Sequence, residues 1–403
     1  MLLRIAWRNI GRNKKRSGII IGAVTLGLAA GIFLMAFYSG MIEQRVRLAI
    51  QNETSHLQVH HPDFRKDYDI KYYLVNGPAS QKQIQSQVEV KQAAGRIIIP
   101  GMIASPSGSS GITINAVQPE KENAITGLQQ KVRAGSYFNP QKENSILISE
   151  KLIKKLKLGI GKKTILTFQD SSGNMMAMAY RITGVFKTSN TPFDENNVFV
   201  NISDIDSLAG LHHQYNEIAI LLHSGSSLKV VQTKLKSLFP EYEILNWQEL
   251  APEIALTVSV GEQMVLIFMG IILLALAFGI INTMLMAILE RTREIGMLLA
   301  LGMNRLRIFQ MVLWETVLLV LAGCPFGIGI ALAAIGITHQ TGIRFKKFSE
   351  VYASFGYNDV IFPELNLRQF LIIMILVILT AVLSSLFPAW RALRLKPAVA
   401  MRK

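Results

Sequence analysis

Apolar and polar positions along this chain separate into four long apolar runs and one long mixed stretch. Residues 17–41 form the first run, and no charged side chain occurs from Gly18 to Met41. The others cover 264–289, 308–337 and 370–389. A helix crosses a bilayer with about 20 apolar residues, roughly 30 Å at 1.5 Å each. Each run is long enough, which predicts four spans in a one-plus-three layout. A cleaved leader would have a shorter apolar core and a small-residue cleavage site. Neither is visible, so the first run reads as a permanent anchor.

The stretch 42–263 has the texture of a mixed α+β domain. Short β-rich segments lie at Arg96–Pro100, Ile112–Val117, Ser145–Ser149, Thr164–Phe168, Tyr180–Phe186 and Asn197–Ile202. Leu152, Ile153 and Leu156 mark a helix ending at Gly159, and Leu228, Val231, Leu235 and Leu238 mark another closed by Pro240. Ser105–Gly111 reads as a flexible loop and a subdomain boundary. The predicted fold class is an α-helical membrane protein with four transmembrane helices and a mixed α+β extracytoplasmic domain between helices 1 and 2.

Charge sets the orientation. The formal net charge is +15, which in a soluble protein would point to nucleic acid. Residues 42–263 nevertheless nearly balance, with 23 Lys and Arg against 21 Asp and Glu. The excess sits at 1–16 (Arg4, Arg8, Arg12, Lys14, Lys15, Arg16), 290–307 and 390–403, at the ends of the apolar runs. Basic residues favour the cytoplasmic side. Both termini and 290–307 are therefore placed in the cytoplasm, 42–263 and the loop 338–369 outside, and nucleic acid is excluded as a partner. Before the first span, Leu3, Ala6, Trp7 and Ile10 recur at helical spacing opposite Arg4, Arg8 and Arg12, as in an interfacial helix beside anionic lipid headgroups.

Inside the spans, Gly18/Gly22, Gly27/Gly31 and Gly323/Gly327 have the four-residue spacing that lets helices approach closely. Pro325 is expected to kink the third span. Glu315 is the ionised group within a span, read either as a proton relay or as a partner for a neighbouring helix. Cys324 is the single cysteine, so no intrachain disulfide forms. His56, His60 and His61 lack a completing ligand pattern and are expected to face solvent, and no metal site is expected. No phosphate-binding Gly-x-x-x-x-Gly-Lys-Ser/Thr occurs, and no nucleophile elbow, so the chain reads as a non-enzyme.

The turn between the second and third spans carries the most information. Its charges crowd Glu290-Arg291-Thr292-Arg293-Glu294, and Ile295-Gly296-Met297-Leu298-Leu299 with Gly302 follow. As a pattern this is a short amphipathic helix, either a plain connector or a grip for a soluble partner. Glu-Arg-x-x-Glu-Ile-Gly with a later Leu-x-x-x-Gly resembles the coupling-helix signature of the MacB/FtsX-like ABC permeases, which include the lipoprotein-releasing LolC/LolE subunits. Ala6-Trp7-Arg8-Asn9-Ile10, Pro388-Ala389 with Arg391-Ala392, Leu158-Gly159 with Gly161-Lys162, and Ile182-Thr183-Gly184-Val185-Phe186 resemble other parts of that family.

The resemblance implies mechanotransmission. Two permeases, identical or homologous, pair and present Glu290, Arg291, Thr292, Arg293, Glu294, Ile295, Gly296, Leu299 and Gly302 to a dimer of separate ATPase subunits. Those subunits bind ATP and magnesium, and this chain holds no cofactor. A MacB-like periplasmic core with an inserted β-rich subdomain at about 116–190 is implied, in a bacterial inner membrane. The expected function is release of lipoproteins to a periplasmic chaperone, with acyl chains sheltered by Phe37, Tyr38, Met41, Met264, Ile267, Phe268 and Phe362. The alternatives are a MacB-like efflux permease with a periplasmic adaptor and an FtsX-like signal transmitter controlling cell-wall hydrolases.

Overall fold

The computed structural model describes residues 14–138 and 143–393, so the interfacial helix expected before Lys14 and the tail beyond Leu393 lie outside the described residues. The chain forms two compact units. One holds the residues through Glu43, Val258–Arg344 and those from Val360 on; the other holds Gln44–Thr257 and Phe345–Asp359.

Four helices are long and apolar enough to cross a membrane: Lys14–Ala49, Pro252–Glu290, Arg305–Thr341 and Leu367–Leu393. The first two extend beyond the apolar runs, to Ala49 and back to Pro252. Helix ends follow propensity and capping rather than hydropathy. Gln44, Arg45, Leu48 and Ala49 are good helix formers, and Pro252 stands at the first helical position, where its fixed φ is preorganised. The third helix is continuous through Pro325.

In the membrane unit, Ile20, Val24, Leu28 and Ile32 recur every fourth residue and are buried among Met269, Leu276, Leu319 and Ile373. The first helix buries 44% of its most apolar window and the second only 22%, so the first is the central one. The glycine pairs differ in use. A Cβ on Gly323 would lie 3.0 Å from Val24, and one on Gly327 2.9 Å from the Thr25 carbonyl, whereas Gly18 and Gly22 face open space. Thr25 Oγ1 donates to the Gly323 carbonyl at 3.2 Å. Gly323/Gly327 thus brings the third span against the first, while a Cβ on Gly31 would lie 3.2 Å from Met269 and one on Gly27 4.0 Å from Ile272, on the second span. At the other end, Gly40 lies against the Phe362 carbonyl, and the Glu364 N–H donates to Ala36 O at 2.9 Å.

The outer unit carries ten strands: β1 Leu57–His60, β2 Val90–Ser105, β3 Gly108–Val117, β4 Val132–Gly135, β5 Ser145–Ser149, β6 Lys163–Gln169, β7 Met175–Phe186, β8 Asn197–Asn201, β9 Glu217–Leu222 and β10 Glu243–Asn246. Pairing runs β10-β1-β9-β2-β3-β8-β5-β7-β4, and β6 bridges β2 and β7. The pairs β2–β3–β8–β5–β7–β6–β2 therefore close a ring, filled by Ile99, Ile114, Ile148, Phe168 and Tyr180. The first half of β2 joins β9, β1 and β10 in a separate layer covered by the helices Gly77–Gln85 and Leu228–Leu238.

Two expectations are corrected here. The β-rich part is wider than 116–190, because β2 and β3 enter the ring from Arg96 onward and β8 closes it at Asn201. Ser105–Gly111 is no boundary: β2 and β3 pair continuously from Arg96–Val117 to Ser105–Gly108, with Pro106 and Ser107 alone making the turn.

The histidines are a third correction. His60 is 2% exposed, and its Nε2 lies 3.2 Å from Glu217. Arg96 Nη1 binds the other Glu217 oxygen at 2.8 Å and forks onto Glu122 through Nε and Nη2, each at 2.8 Å. His56 and His61 are half-buried, each accepting a backbone N–H, from Leu222 and Asp63. Burial opposes ionisation of Glu217, but His60 and Arg96 outweigh it and hold the carboxyl below its ordinary value. Among the described residues no cluster of His, Cys, Asp or Glu is placed to hold a metal ion.

Candidate functional site

The second spanning helix ends at Glu290, and a separate helix, Thr292–Ala300, follows. Arg291 makes the break, with φ −100° and ψ 12°. Thr292 Oγ1 donates to the carbonyls of Ile288 at 3.0 Å and Leu289 at 2.9 Å, satisfying acceptors that the break would strand. Glu294 in the first turn suits the positive end of the helix. At the far end the Met303 N–H reaches Leu298 O at 3.0 Å and the Gly302 N–H reaches Leu299 O at 3.1 Å. Gly302 has φ +85°, a value that side chains resist, so it serves as the left-handed residue closing the helix. Asn304 then caps the third span by accepting the Leu306 N–H at 3.1 Å.

This short helix has two faces. Ile295 and Gly296 are buried, and Leu299 packs on the membrane core. Glu290, Arg293, Glu294, Met297, Ala300, Leu301 and Gly302 are exposed. Met297 at 54% and Leu301 at 79% exposure stand one turn apart among the charges. The expected set omits both, because apolar residues beside a membrane read as membrane-facing; their one-turn spacing on the charged face was the available signal. Arg291 behaves differently from its neighbours. Its Nη1 lies 3.1 Å from Glu315 Oε1, and the two side chains are 12% and 4% exposed.

The residues expected to shelter acyl chains divide by helix. Phe37, Tyr38 and Met41 are half-buried on the first span, with Tyr38 packed on Gly261 of the second. Met264, Ile267 and Phe268 are exposed on the second, and Phe362 lies beside Gly342. Met264 and Ile267 belong to a longer exposed stripe, Val260, Met264, Ile267, Ile271, Leu274 and Phe278, spaced four and three residues apart. That spacing keeps one helix face apolar along its length.

In the outer unit a cleft of about 470 Å³ is lined by Lys131, Arg133, Lys187, Glu150, Glu350 and Asp359. Burial pulls the Lys131 amine down to about 8, and it donates to the Asn52 side-chain oxygen. Glu150 already engages Lys154 and Lys187.

Residues 17–238 match the MacB-like periplasmic core domain, and residues 266–397 match the FtsX-like permease C-terminal domain. An uncharacterized ABC transporter permease of Methanocaldococcus jannaschii is 28% identical over 55% of this chain. The lipoprotein-releasing system transmembrane protein LolC of Buchnera aphidicola is 26% identical over 71% of it. The uncharacterized ABC transporter permease YknZ of Bacillus subtilis is 22% identical over 99% of this chain and 98% of its own length. The alignments span 55% and 65% of the lengths of the first two relatives. With one domain match covering more than half the chain and a second covering the last three spans, the protein belongs to the MacB/FtsX-like family of ABC-transporter permeases.

Proposed function

We propose that this chain is the permease of a mechanotransmission transporter that releases lipoproteins from a bacterial inner membrane, powered through the helix Thr292–Ala300. As a permease of this family it is a non-catalytic, multi-pass membrane subunit with an outer domain between its first and second spans, and it works with a partner ATPase. The observation that carries the coupling role is the exposed pair Met297 and Leu301 flanked by Arg293 and Glu294. An apolar pair ringed by charges is the composition of a protein-binding centre. ATP and magnesium belong to the partner, both chain ends lie in the cytoplasm, and the outer domain faces the periplasm.

Lipoprotein release fits the apolar stripe on the second span. Acyl chains cost about 0.8 kcal/mol per CH₂ to expose to water. A second permease facing this stripe would shelter them along with Phe37, Tyr38, Met41, Met264, Ile267, Phe268 and Phe362, and a periplasmic chaperone would receive the product. A second reading, a MacB-like export permease with a periplasmic adaptor, draws support from the pyoverdine export ATP-binding/permease protein PvdT of Pseudomonas fluorescens, 23% identical over 99% of this chain against 71% of it for LolC.

The test is co-purification of the chain with the ABC ATPases of its own cell, followed by native mass spectrometry. Lipoprotein release predicts bound triacylated protein that ATP discharges. The paired substitution M297E/L301E should cut ATPase association at least tenfold. Association unchanged in that variant would refute the coupling face, and an ATPase complex carrying no acylated protein would refute the substrate.

A further inference from the structure

Arg291 sits at the break between two helices, and its guanidinium turns away from the exposed face of the second. It grips Glu315, 24 residues later on the third span, with Nη1 at 3.1 Å and 3.3 Å from the two carboxylate oxygens. The pair is withdrawn from water. Met284, Ile288, Ile295, Leu298, Met311 and Val312, together with Glu294 at the exposed edge, line a pocket of about 90 Å³ around it. A water occupies about 30 Å³ in the liquid, so this space is far too small for a transported molecule. It is large enough for side chains to repack as the short helix tilts.

These two features act in opposite directions. Parting two largely buried charges takes an ionic partner from each in a poorly polarisable setting, which opposes separation. The cavity removes the close packing that would oppose rocking. The contact is therefore stiff to pulling apart and soft to tilting, which are the properties of a joint.

We propose that Arg291 and Glu315 form this joint, so that a push on the exposed face of Thr292–Ala300 reaches the third span as well as the second, to which the short helix is covalently continuous. The proposal rests on the coupling reading above and alters one part of it. Arg291 is a positioning residue that faces its own chain, and the ATPase meets Arg293, Glu294, Met297 and Leu301. It also gives Glu315 a mechanical role in place of a proton relay.

The experiment uses the full chain in lipid nanodiscs, carrying C324S and a nitroxide on M297C. Neutralisation by R291Q or E315Q is expected to raise label mobility at least twofold, and the exchange R291E/E315R to return it toward the parent value. R291K, which keeps charge but loses the fork, should fall between, and K236Q, at an exposed lysine of the outer unit, should change nothing. Thermal unfolding of each variant identifies any that fail to fold, and the exchanged pair then decides the matter. Singles that leave mobility unchanged, or a folded exchange variant that stays as mobile as the singles, would overturn the joint.

A second arm adds the co-purified ATPase and moves the label to Q340C at the far end of the third span. ATP should alter its spectrum in the parent and not in R291Q, while ATPase binding stays within twofold. An ATP response retained in R291Q overturns the proposal. Failure of the parent chain to bind any ATPase would overturn the coupling reading instead, with the joint itself judged by the mobility series.

Discussion

The buried quartet His60, Glu217, Arg96 and Glu122 shows what a single side chain contributes to the outer domain. Arg96 is 7% exposed and is the cation common to two carboxylates that are themselves almost fully buried. Replacing one partner of such a set strands the others, at a cost of about 3–5 kcal/mol. Arg96→Met should therefore lower the unfolding free energy of the full chain in detergent by about that amount, read from chemical denaturation. The pH dependence gives a second readout. The Glu217 carboxyl titrates below its ordinary value in the fold, so its stabilisation is fully present above pH 4.5 and is lost as pH falls through the lower folded value. Without Arg96 the burial effect dominates, and acidification to pH 4 should destabilise the variant less than the parent. Equal acid sensitivity would contradict this account. None of the quartet was legible in the sequence. His60 and Glu217 stand 157 residues apart, and Arg96 and Glu217 stand 121 apart, so no local pattern announces them. His60 had read as a solvent-facing histidine because a strand position beside a turn carries no sign of what its neighbouring strand supplies.

At the scale of elements, the spans were legible because each is a long, strongly apolar run, broken by an ionised group only at Glu315 in the third. Their ends were not, since the polar residues past Met41 and before Met264 continue the helices through propensity. The short helix Thr292–Ala300 was visible as charges followed by apolar residues, but which apolar residues turn inward depends on the third span. The glycine pairs make the same point: the spacing is identical, and only the structure tells them apart. A valine at Gly327 would press on the Thr25 carbonyl and on Leu28, 3.0 Å away, whereas Gly22 has nothing within 4 Å. Overpacking a tight contact costs about 1–3 kcal/mol. Gly327→Val should lower the thermal midpoint of the full chain in detergent, and Gly22→Val should leave it unchanged. A drop in the second variant as large as in the first would mean that Gly22 is packed against something, a second copy of the chain being the first candidate to test by its oligomeric state.

For the whole molecule, the proposed orientation, read from the charge pattern, predicts that Thr292–Ala300 and the outer domain lie on opposite sides of the bilayer. Basic residues cluster at the ends of the apolar runs on one side, while the stretch between the first two spans is nearly neutral. The single cysteine, Cys324, is buried, so replacing it with serine gives a background for placing one thiol at a time. A thiol at Ser172, exposed in the turn between β6 and β7, should react with a membrane-impermeant maleimide in intact spheroplasts. A thiol at Arg293, exposed on the helix Thr292–Ala300, should react only after permeabilisation. The pair of results matters more than either alone. Labelling of both from outside would put the coupling helix beyond the reach of any cytoplasmic ATPase, and labelling of neither would place Ser172 on the wrong side for an outer domain. Only outside for Ser172 and inside for Arg293 leaves a continuous chain able to receive a push in the cytoplasm and deliver it beyond the membrane.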